Sequence, residues 1–292
     1  MNTSLSTAAL PGTDVEKPST MAPVEPSGAL LKVLAAISFC HLLNDMVQSL
    51  LPSIYPILKS QFHLSFAHLG LLTFTYQVVA SLLQPFVGQY TDKRPVPFAL
   101  PAGMTFTVIG LLLLATAPTF GWLIVASCLV GTGAAIFHPE SSRIARMASG
   151  GKHGFAQSFF QVGGNTGSAI GPLLAAFIVL PQGQKGMAWF TIPTLMGIIV
   201  LYRVGRWYRQ RHRESVGTQR AERHATVALS KGRIVLALAI LIALVFSKYF
   251  YLASLTSYYT FYLIQRFHVT VRTSQIMLFV FLAAAAAGTL IG

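Results

Sequence analysis

Acidic side chains are scarce in this chain. It holds 8 Asp and Glu against 21 Lys and Arg, and charged residues of all kinds make up only 10% of it. A water-soluble protein of this size needs more charge on its surface, so the composition excludes an ordinary soluble fold. The two cysteines, Cys40 and Cys128, both lie in apolar stretches, which excludes a disulfide framework.

Several functional motifs are also missing. The chain has no nucleophile elbow, no phosphate-binding loop and no zinc-protease motif, and its apolar stretches hold too few carboxylates for an intramembrane hydrolase. We therefore expect no enzymatic activity. Residues 1–28 are rich in Pro, Ser, Thr and Ala and lack the basic and apolar segments of a signal peptide, so we predict a disordered cytoplasmic tail there.

Long apolar runs are what the chain has in abundance, with 53% hydrophobic residues and a mean hydropathy of +0.61. About 20 apolar residues are enough for a helix to cross a bilayer. The sequence therefore predicts an all-α, polytopic membrane protein. The predicted spans are residues 31–58, 67–90, 97–117, 121–142, 153–180, 186–208, 233–264 and 272–292.

The basic residues orient these helices, because Lys and Arg concentrate in cytoplasmic loops. Most of the 21 fall on the side of the N-terminus, and the predicted outer segments hold only Lys59, Lys185, Arg266 and Arg272. The formal net charge of +13 is thus a topology signal, and we expect no nucleic-acid partner. We predict a six-helix bundle over 29–208, a basic cytoplasmic linker over 209–232 and the start of a second bundle over 233–292.

A faint internal repeat relates the two predicted bundles. With an offset of 205 residues, Gln61-Phe-His-Leu-Ser65 matches Arg266-Phe-His-Val-Thr270. Two parallel repeats are a transporter architecture. In this register the chain stops inside its eighth helix, so we expect it to be a fragment of a protein with about four more helices.

The first apolar run carries an unusual set of polar side chains. At about 100° per residue, one face of its helix presents Ser38, His41, Asp45, Gln48 and Tyr55. A carboxylate at mid-membrane costs about 2.5–3.5 kcal/mol and usually faces a cavity or bundle interior. This helix is therefore predicted to line a cavity, with a bend at Pro52 and Pro56 near its outer end. His41 and Asp45 have the spacing of metal ligands, but without a third or fourth candidate nearby we expect no metal site.

A second polar stripe is predicted on the fifth helix. Its members are Gln157, Gln161, Asn165 and Ser168, which recur nearly every four residues. They would either line the cavity or form hydrogen bonds between helices.

Three motifs resemble those of the major facilitator superfamily. Gly88-Gln-Tyr-Thr-Asp92-Lys93-Arg94 resembles its signature loop, although Pro95 and Pro97 depart from the pattern. Gly131-Thr-Gly133 resembles its second motif, but Ser127 stands where the family has an Arg implied in proton transfer. Glu140 and Arg143 are the candidates to replace that Arg, with a solvated ion pair at the inner end as the alternative.

The third motif runs from Gly163 to Pro172 and resembles the family's antiporter motif, with Ala175 and Ala176 in place of the final glycines. Small residues at this spacing let helices approach closely, and Pro172 is expected to kink the helix. Packing alone could explain this motif.

The resemblance becomes more specific in three stretches: residues 41–56, Phe137 to Arg143, and Lys248 to Tyr259. They resemble the fosmidomycin resistance protein family of bacterial efflux transporters. That resemblance implies efflux of a small phosphonate antibiotic from the inner membrane in exchange for protons, with the N-terminus in the cytoplasm. It implies no cofactor beyond the proton gradient. The expected partners are the small-molecule substrate, protons and the lipid bilayer, with the protein acting as a monomer.

The candidate site residues fall into three groups. Proton coupling is expected at Asp45, His41, Glu140 and Arg143. Substrate contacts are expected from Lys248, Asn44, Gln48, Gln77, Gln157, Gln161, Asn165 and Tyr251. Conformational roles are expected for Gly88, Asp92, Lys93, Arg94, Gly167, Gly171 and Pro172.

A mechanism follows from depth in the bilayer. Asp45 lies about thirteen residues into the first helix and Lys248 about fifteen into the seventh, so at 1.5 Å per residue both fall near the bilayer centre. We expect Asp45 to carry the proton, with anionic substrate competing for Lys248. The alternative is a fixed Asp45–Lys248 ion pair that only joins the bundles.

A facilitator or proton symporter importing a metabolite would share this fold, and a membrane-bound enzyme or assembly factor is the least favoured alternative.

Overall fold

The computed structural model describes residues 28–216 and 230–291, and every long element in them is helical, with no strand among the described residues. The tail predicted for residues 1–28 lies outside them apart from Gly28, as does the middle of the predicted linker. In chain order the α-helices are α1 (Gly28–Ser53), α2 (Tyr55–Gln61), α3 (Phe66–Lys93), α4 (Ala99–Thr116), α5 (Phe120–Met147), α6 (His153–Leu174), α7 (Leu180–Gln182), α8 (Thr191–Val216), α9 (Lys231–Phe267) and α10 (Val271–Ile291).

Seven stretches of the described helices are long and apolar enough to cross a membrane. One of them, His153–Arg211, is 59 residues long and holds two of the predicted spans, α6 and α8. The predicted all-α, multi-pass class is thus confirmed. The predicted boundary at residue 208 differs, since α8 continues to Val216. Arginine is a strong helix former, so the helix extends past its apolar part.

The first predicted span is divided into two helices near its outer end, at the position of its prolines. α1 ends at Ser53, and α2 begins at Tyr55 with Pro56 in its first turn, where a missing N–H costs nothing. Pro172 does not end α6, but a π-helical turn follows it at Ala175–Val179. Prolines and π-helical turns are both known causes of helix kinks.

Glycines let α6 lie directly against α1. A Cβ added to Gly163 or Gly167 would overlap the carbonyl oxygens of Ser38 and Leu42, and one on Gly171 would overlap the hydroxyl of Ser49. Only residues without a side chain permit this backbone-to-backbone approach. The close packing predicted from the small-residue motif is therefore present.

The predicted repeat is visible in the backbone. His63 and His268, which match at the offset of 205, both adopt left-handed φ values, 51° and 53°. Two residues later, Ser65 accepts a hydrogen bond from the backbone N–H of His68, and Thr270 accepts one from that of Thr273. Both halves thus start their second long helix with the same turn and the same type of N-cap.

The two halves contact each other near these turns. Gln275 of α10 donates a 2.9 Å hydrogen bond to the carbonyl of Ser53, and Thr73 of α3 lies 3.4 Å from the hydroxyl of Ser257 on α9. In contrast, α9 is exposed from Gly232 to Tyr251. The contacts that α9 makes with the first half therefore lie beyond Tyr251, towards its predicted outer end.

Candidate functional site

Asp45 lies between two histidines from different helices. His41 Nε2, one turn earlier on α1, is 3.3 Å from Asp45 Oδ2, and His138 Nε2 of α5 is 3.9 Å from Oδ1. Asn44 also donates a 3.2 Å hydrogen bond to Oδ1. We call His41, Asp45 and His138 the mid-helix cluster. The predicted polar face thus leads to a cluster, and His138 is a member that the sequence did not reveal.

His41 is held rigidly in this cluster. Its Nδ1 is 2.8 Å from the carbonyl oxygen of Phe160, and its ring stacks on the Phe160 ring with centroids 4.0 Å apart. Because a carbonyl only accepts hydrogen bonds, Nδ1 carries the hydrogen and Nε2 points at the Asp45 carboxylate. Two acceptors at 3.3 Å repel each other unless a proton lies between them, so this geometry is that of a proton-binding pair.

His138 is held less tightly and is more exposed. Its side chain is 29% exposed, against 3% for His41. Its Nε2 also lies 3.4 Å from the amide nitrogen of Gln48, and the oxygen of that amide accepts a hydrogen bond from the Tyr76 hydroxyl. The mid-helix cluster therefore has one fixed imidazole and one that can reach open space.

Gly164 of α6 provides the room for this cluster. A Cβ at this position would lie 2.6 Å from His41 Nε2 and 2.7 Å from Asp45 Oδ2. Those separations are too short for any side chain, so glycine at this position lets α6 cover the proton-binding pair.

The expectation that no third metal ligand lies near His41 and Asp45 is wrong, because His138 supplies one. One ligand atom from each of the three residues falls within 4.8 Å of the others, and no fourth ligand joins them in the described ranges. Three protein ligands suit only an open type of zinc site. Direct pairing of the carboxylate with the imidazoles accounts for the geometry without an ion.

The fixed Asp45–Lys248 ion pair, which was the alternative to the expected mechanism, is not present among the described residues. Lys248 is exposed, and its nearest aromatic contact is the ring of its own neighbour Tyr249, 5.7 Å away. Within residues 28–216 and 230–291, the ion-pair partners of Asp45 are His41 and His138. Similar depth in the bilayer did not bring the two charges together, because Lys248 lies on the exposed stretch of α9.

A second charged group lies at the inner end of α3 and α5, and we call it the inner-end cluster. Arg143 donates hydrogen bonds to the carbonyl and hydroxyl of Thr91, both at 2.9 Å, and to Asp92 at 2.6 Å. Its guanidinium is also 3.3 Å from Glu140. The alternative of a solvated pair is wrong for Glu140, which is buried, whereas Asp92 is largely exposed.

The signature loop lies beside this cluster. Lys93 and Arg94 are exposed, and a Cβ on Gly88 would be 4.0 Å from that of Pro139, an ordinary packing distance. The loop therefore places Asp92 against α5, while its two basic residues face outward.

One of the two roles predicted for the second polar stripe, hydrogen bonding between helices, is present. Gln157 donates a 3.0 Å hydrogen bond to Ser142 on α5, and Gln161 donates one of 3.1 Å to Asn165 within α6. Asn165 also lines a cavity of about 240 Å³ between α6 and α10. Two other predicted substrate contacts, Gln77 and Tyr251, are exposed and are not part of either cluster.

The sequence is similar to those of known transporters. The profile of the Major Facilitator Superfamily matches residues 37–292. The chain is 55% identical over 260 residues to the Fosmidomycin resistance protein of Escherichia coli (strain K12), covering 89% of this chain and 64% of that protein. It is 41% identical over 271 residues to the uncharacterized MFS-type transporter YfnC of Bacillus subtilis (strain 168), covering 92% and 66%.

The fold is similar to that of a solved transporter. A bacterial homologue of the human lysosomal transporter Spinster, in an inward-facing and unoccupied conformation, superimposes with a TM-score of 0.66 at 18% identity, over 90% of this chain and 62% of that one. The chain thus spans about two thirds of the length of these relatives. The family profile covers nearly all of the described helices. The chain therefore belongs to the major facilitator superfamily.

Proposed function

We propose that this protein is a secondary active transporter that exports a small anionic phosphonate compound, such as fosmidomycin, in exchange for protons. The observation that carries the proposal is the Asp45 carboxylate, enclosed in a membrane-spanning helix between two imidazoles. A carboxylate at that depth is costly, and in transporters such groups serve as proton relays. The name of the 55% identical relative supports the phosphonate as substrate.

The mid-helix cluster is suited to carry the proton. His41 and Asp45 present two acceptors to each other, so they bind a proton between them and repel when it leaves. A transporter that exposes this pair alternately to the two sides of the membrane would move one proton per cycle. We place the protein in the bacterial inner membrane with its N-terminus in the cytoplasm, because the basic residues concentrate in the predicted inner loops.

The inner-end cluster is suited to a different task. An arginine stays charged at every physiological pH, so Arg143 cannot release a proton during the cycle. Its hydrogen bonds to Thr91 and Asp92 instead tie α5 to the last turn of α3. We assign Arg143 and Asp92 to holding the inner end closed in one conformation, and Glu140 to the same network.

Proton-driven accumulation of fosmidomycin in inverted membrane vesicles tests the proposal. Efflux predicts that a proton gradient with the vesicle interior acidic drives accumulation, because protons leave as fosmidomycin enters, and that Asp45→Asn abolishes it because the amide cannot take up the proton. Glu140→Gln is the comparison variant, since it neutralises the carboxylate of the other cluster. We expect it to lower the rate while leaving accumulation coupled to the gradient.

Three results would contradict parts of this proposal. Intact coupling in Asp45→Asn would remove Asp45 as proton carrier, and its loss only in Glu140→Gln would transfer that role. Flux of substrate in the same direction as protons would identify a symporter that imports its substrate.

A further inference from the structure

We propose that the inner end of α8 binds an anionic phospholipid of the inner leaflet through three arginines on one face of the helix. They are Arg203, Arg206 and Arg209, all of them exposed, and we call them the arginine stripe. This site goes beyond the proposed function, since it does not depend on which compound is exported or on what drives the export.

The arginine stripe continues the outward side of the apolar part of α8. At about 100° per residue its members lie within a sector of about 120°, and exposed apolar residues of the preceding turns fall in the same sector. These apolar residues are Ile192, Leu195 and Ile199. Exposed apolar side chains of a membrane helix meet lipid tails, which are as apolar as leucine. The same face of α8 therefore changes from apolar to cationic where the helix reaches the inner surface of the membrane.

The opposite face of α8 is fixed to the rest of the bundle. Leu201, Val204 and Tyr208 are buried there, and α8 packs against α1 and α4. Gly205 lets the inner ends of α8 and α4 touch, because a Cβ on it would overlap the carbonyl oxygen of Pro97. Helices α9 and α10 pack mainly on α1, α3 and α6 instead. The arginine stripe therefore lies away from the contacts between the two halves and faces the surrounding bilayer.

Aromatic contacts order the helix surface around the arginine stripe. The Phe98 ring stacks on that of Tyr202 with centroids 5.2 Å apart, and the guanidinium carbon of Arg209 lies 5.6 Å from the Phe98 centroid. Tyrosines are enriched where a membrane meets water, so Tyr202 marks the level of the lipid headgroups. The stripe begins one position later, at Arg203, which places its guanidiniums beside the headgroup phosphates.

The guanidiniums of the arginine stripe have no carboxylate partner among the side chains that the structure describes. Asp92 and Glu140, the inner-end carboxylates in that set, both pair with Arg143. A guanidinium matches the geometry of phosphate oxygens, which it can meet with two parallel hydrogen bonds. Successive members of the stripe are about 4.5 Å apart along the helix, so one phosphodiester can contact two of them.

A phospholipid with a net negative charge matches both parts of this surface. Its acyl chains can lie along the apolar residues of α8 while its phosphate meets the arginine stripe. A free phosphate ester would use only the cationic part, and a zwitterionic lipid carries its own cation beside the phosphate. The site therefore prefers anionic over zwitterionic lipids.

Quenching of tryptophan fluorescence by spin-labelled lipids tests this preference. The purified protein is reconstituted in phosphatidylcholine vesicles with increasing amounts of phosphatidylglycerol that is spin-labelled on an acyl chain, close to the glycerol. Trp207 adjoins Arg206 and is the reporter, and the other two of the three tryptophans, Trp122 and Trp189, are replaced by Phe in every variant. Spin-labelled phosphatidylcholine, titrated in the same way, gives the reference affinity.

The parent protein, which carries only the two Phe replacements, should bind phosphatidylglycerol more tightly than phosphatidylcholine. Arg206→Gln should lower this preference about five-fold, the effect of one basic residue near an anionic surface. Arg206→Lys keeps the positive charge and should stay within about two-fold of the parent.

Arg211→Gln is the matched control. Arg211 is exposed on the same helix and its loss removes the same charge, but five residues of helix turn it by about 140° from Arg206. At about 0.15 M salt, charges more than about 8 Å apart are largely screened, so this variant should keep the preference of the parent within about two-fold. Thermal unfolding in detergent verifies that each variant is folded.

Free glycerol phosphate distinguishes a lipid site from a site for soluble phosphate esters. It carries the negative charge but no acyl chain, so it should leave quenching by phosphatidylglycerol unchanged.

Three results would overturn the proposal. The first is an equal lipid preference in Arg206→Gln and the parent. The second is an equal loss in Arg206→Gln and Arg211→Gln, which would indicate a general effect of net charge. The third is displacement of phosphatidylglycerol by free glycerol phosphate. None of these measurements involves transport, so the lipid site and the proposed function are tested independently.

Discussion

The two charged clusters share helix α5, yet their cations differ in kind. His138 of the mid-helix cluster faces Asp45 at 3.9 Å, and Arg143, five residues later, contacts Asp92 at 2.6 Å. Imidazoles gain and lose charge near neutral pH, whereas a guanidinium is charged throughout. The shorter contact also belongs to the permanent cation.

The difference shows how one helix can serve two tasks. The mid-helix cluster has loose contacts, partial exposure and a carboxylate whose partners can become neutral, which suits binding and release. The inner-end cluster has four contacts from a single guanidinium, which suits a latch that breaks only when the helices move. Chemistry at the first site and mechanical closure at the second are therefore separable by mutation.

The largest expected effect is a loss of folding stability when the inner-end cluster is disrupted. Arg143→Ala leaves the buried Glu140 without its positive partner, and breaking a buried pair in this way costs about 3–5 kcal/mol. Thermal unfolding in detergent should show a clear loss of stability relative to Arg146→Ala, an exposed arginine on the same helix. Equal melting temperatures for these two variants would mean that the latch contributes little to the fold.

A smaller loss of folding stability is expected when a methyl group is added beside the mid-helix cluster. Gly164→Ala places a methyl group against His41 and Asp45, an overpacking change that costs about 1–3 kcal/mol. It should also abolish proton-driven accumulation of fosmidomycin. Gly154→Ala on the same helix is the matched control, because nothing lies within 4 Å of its added Cβ. Normal accumulation by Gly164→Ala would show that the exact packing of α6 on the cluster is unimportant.

Replacing the permanent cation of the inner-end cluster by a titratable one tests the difference between the two clusters. Arg143→His would make the latch titratable: the imidazolium pairs with Asp92 and Glu140 below about pH 6 and loses that pairing as pH rises past about 7. Transport by this variant should fall about ten-fold between those pH values beyond any change in the wild type. Identical pH profiles for the two proteins would imply that the charge at Arg143 is not needed during the cycle.

The smallest effect is expected at the residue that the sequence favoured for the anion. Lys248 is exposed and pairs with neither cluster, so Lys248→Ala should bind fosmidomycin within about two-fold of the wild type, as expected for an exposed charge. Equilibrium binding measures this directly. A ten-fold loss would restore Lys248 to the substrate site.

Hydropathy and helical period were sufficient to predict much of the fold of this protein. They predicted the all-α class, nearly every span and the face of α1 that carries His41, Asp45 and Gln48. The repeat that relates residues 61–65 to residues 266–270 was also predicted from the sequence, because both segments form the same turn and the same type of N-cap. These are local properties, determined within one helix or one turn.

The composition of the mid-helix cluster could not be predicted in the same way. His138 lies 93 positions from Asp45, on another helix, and periodicity relates only residues of the same helix. Lys248 was suitable by depth alone, but depth does not determine which side of a helix faces a neighbour. Only the packing of α1 against α5 and α6, the latter through glycines that let α6 touch the α1 backbone, brings two histidines to one carboxylate.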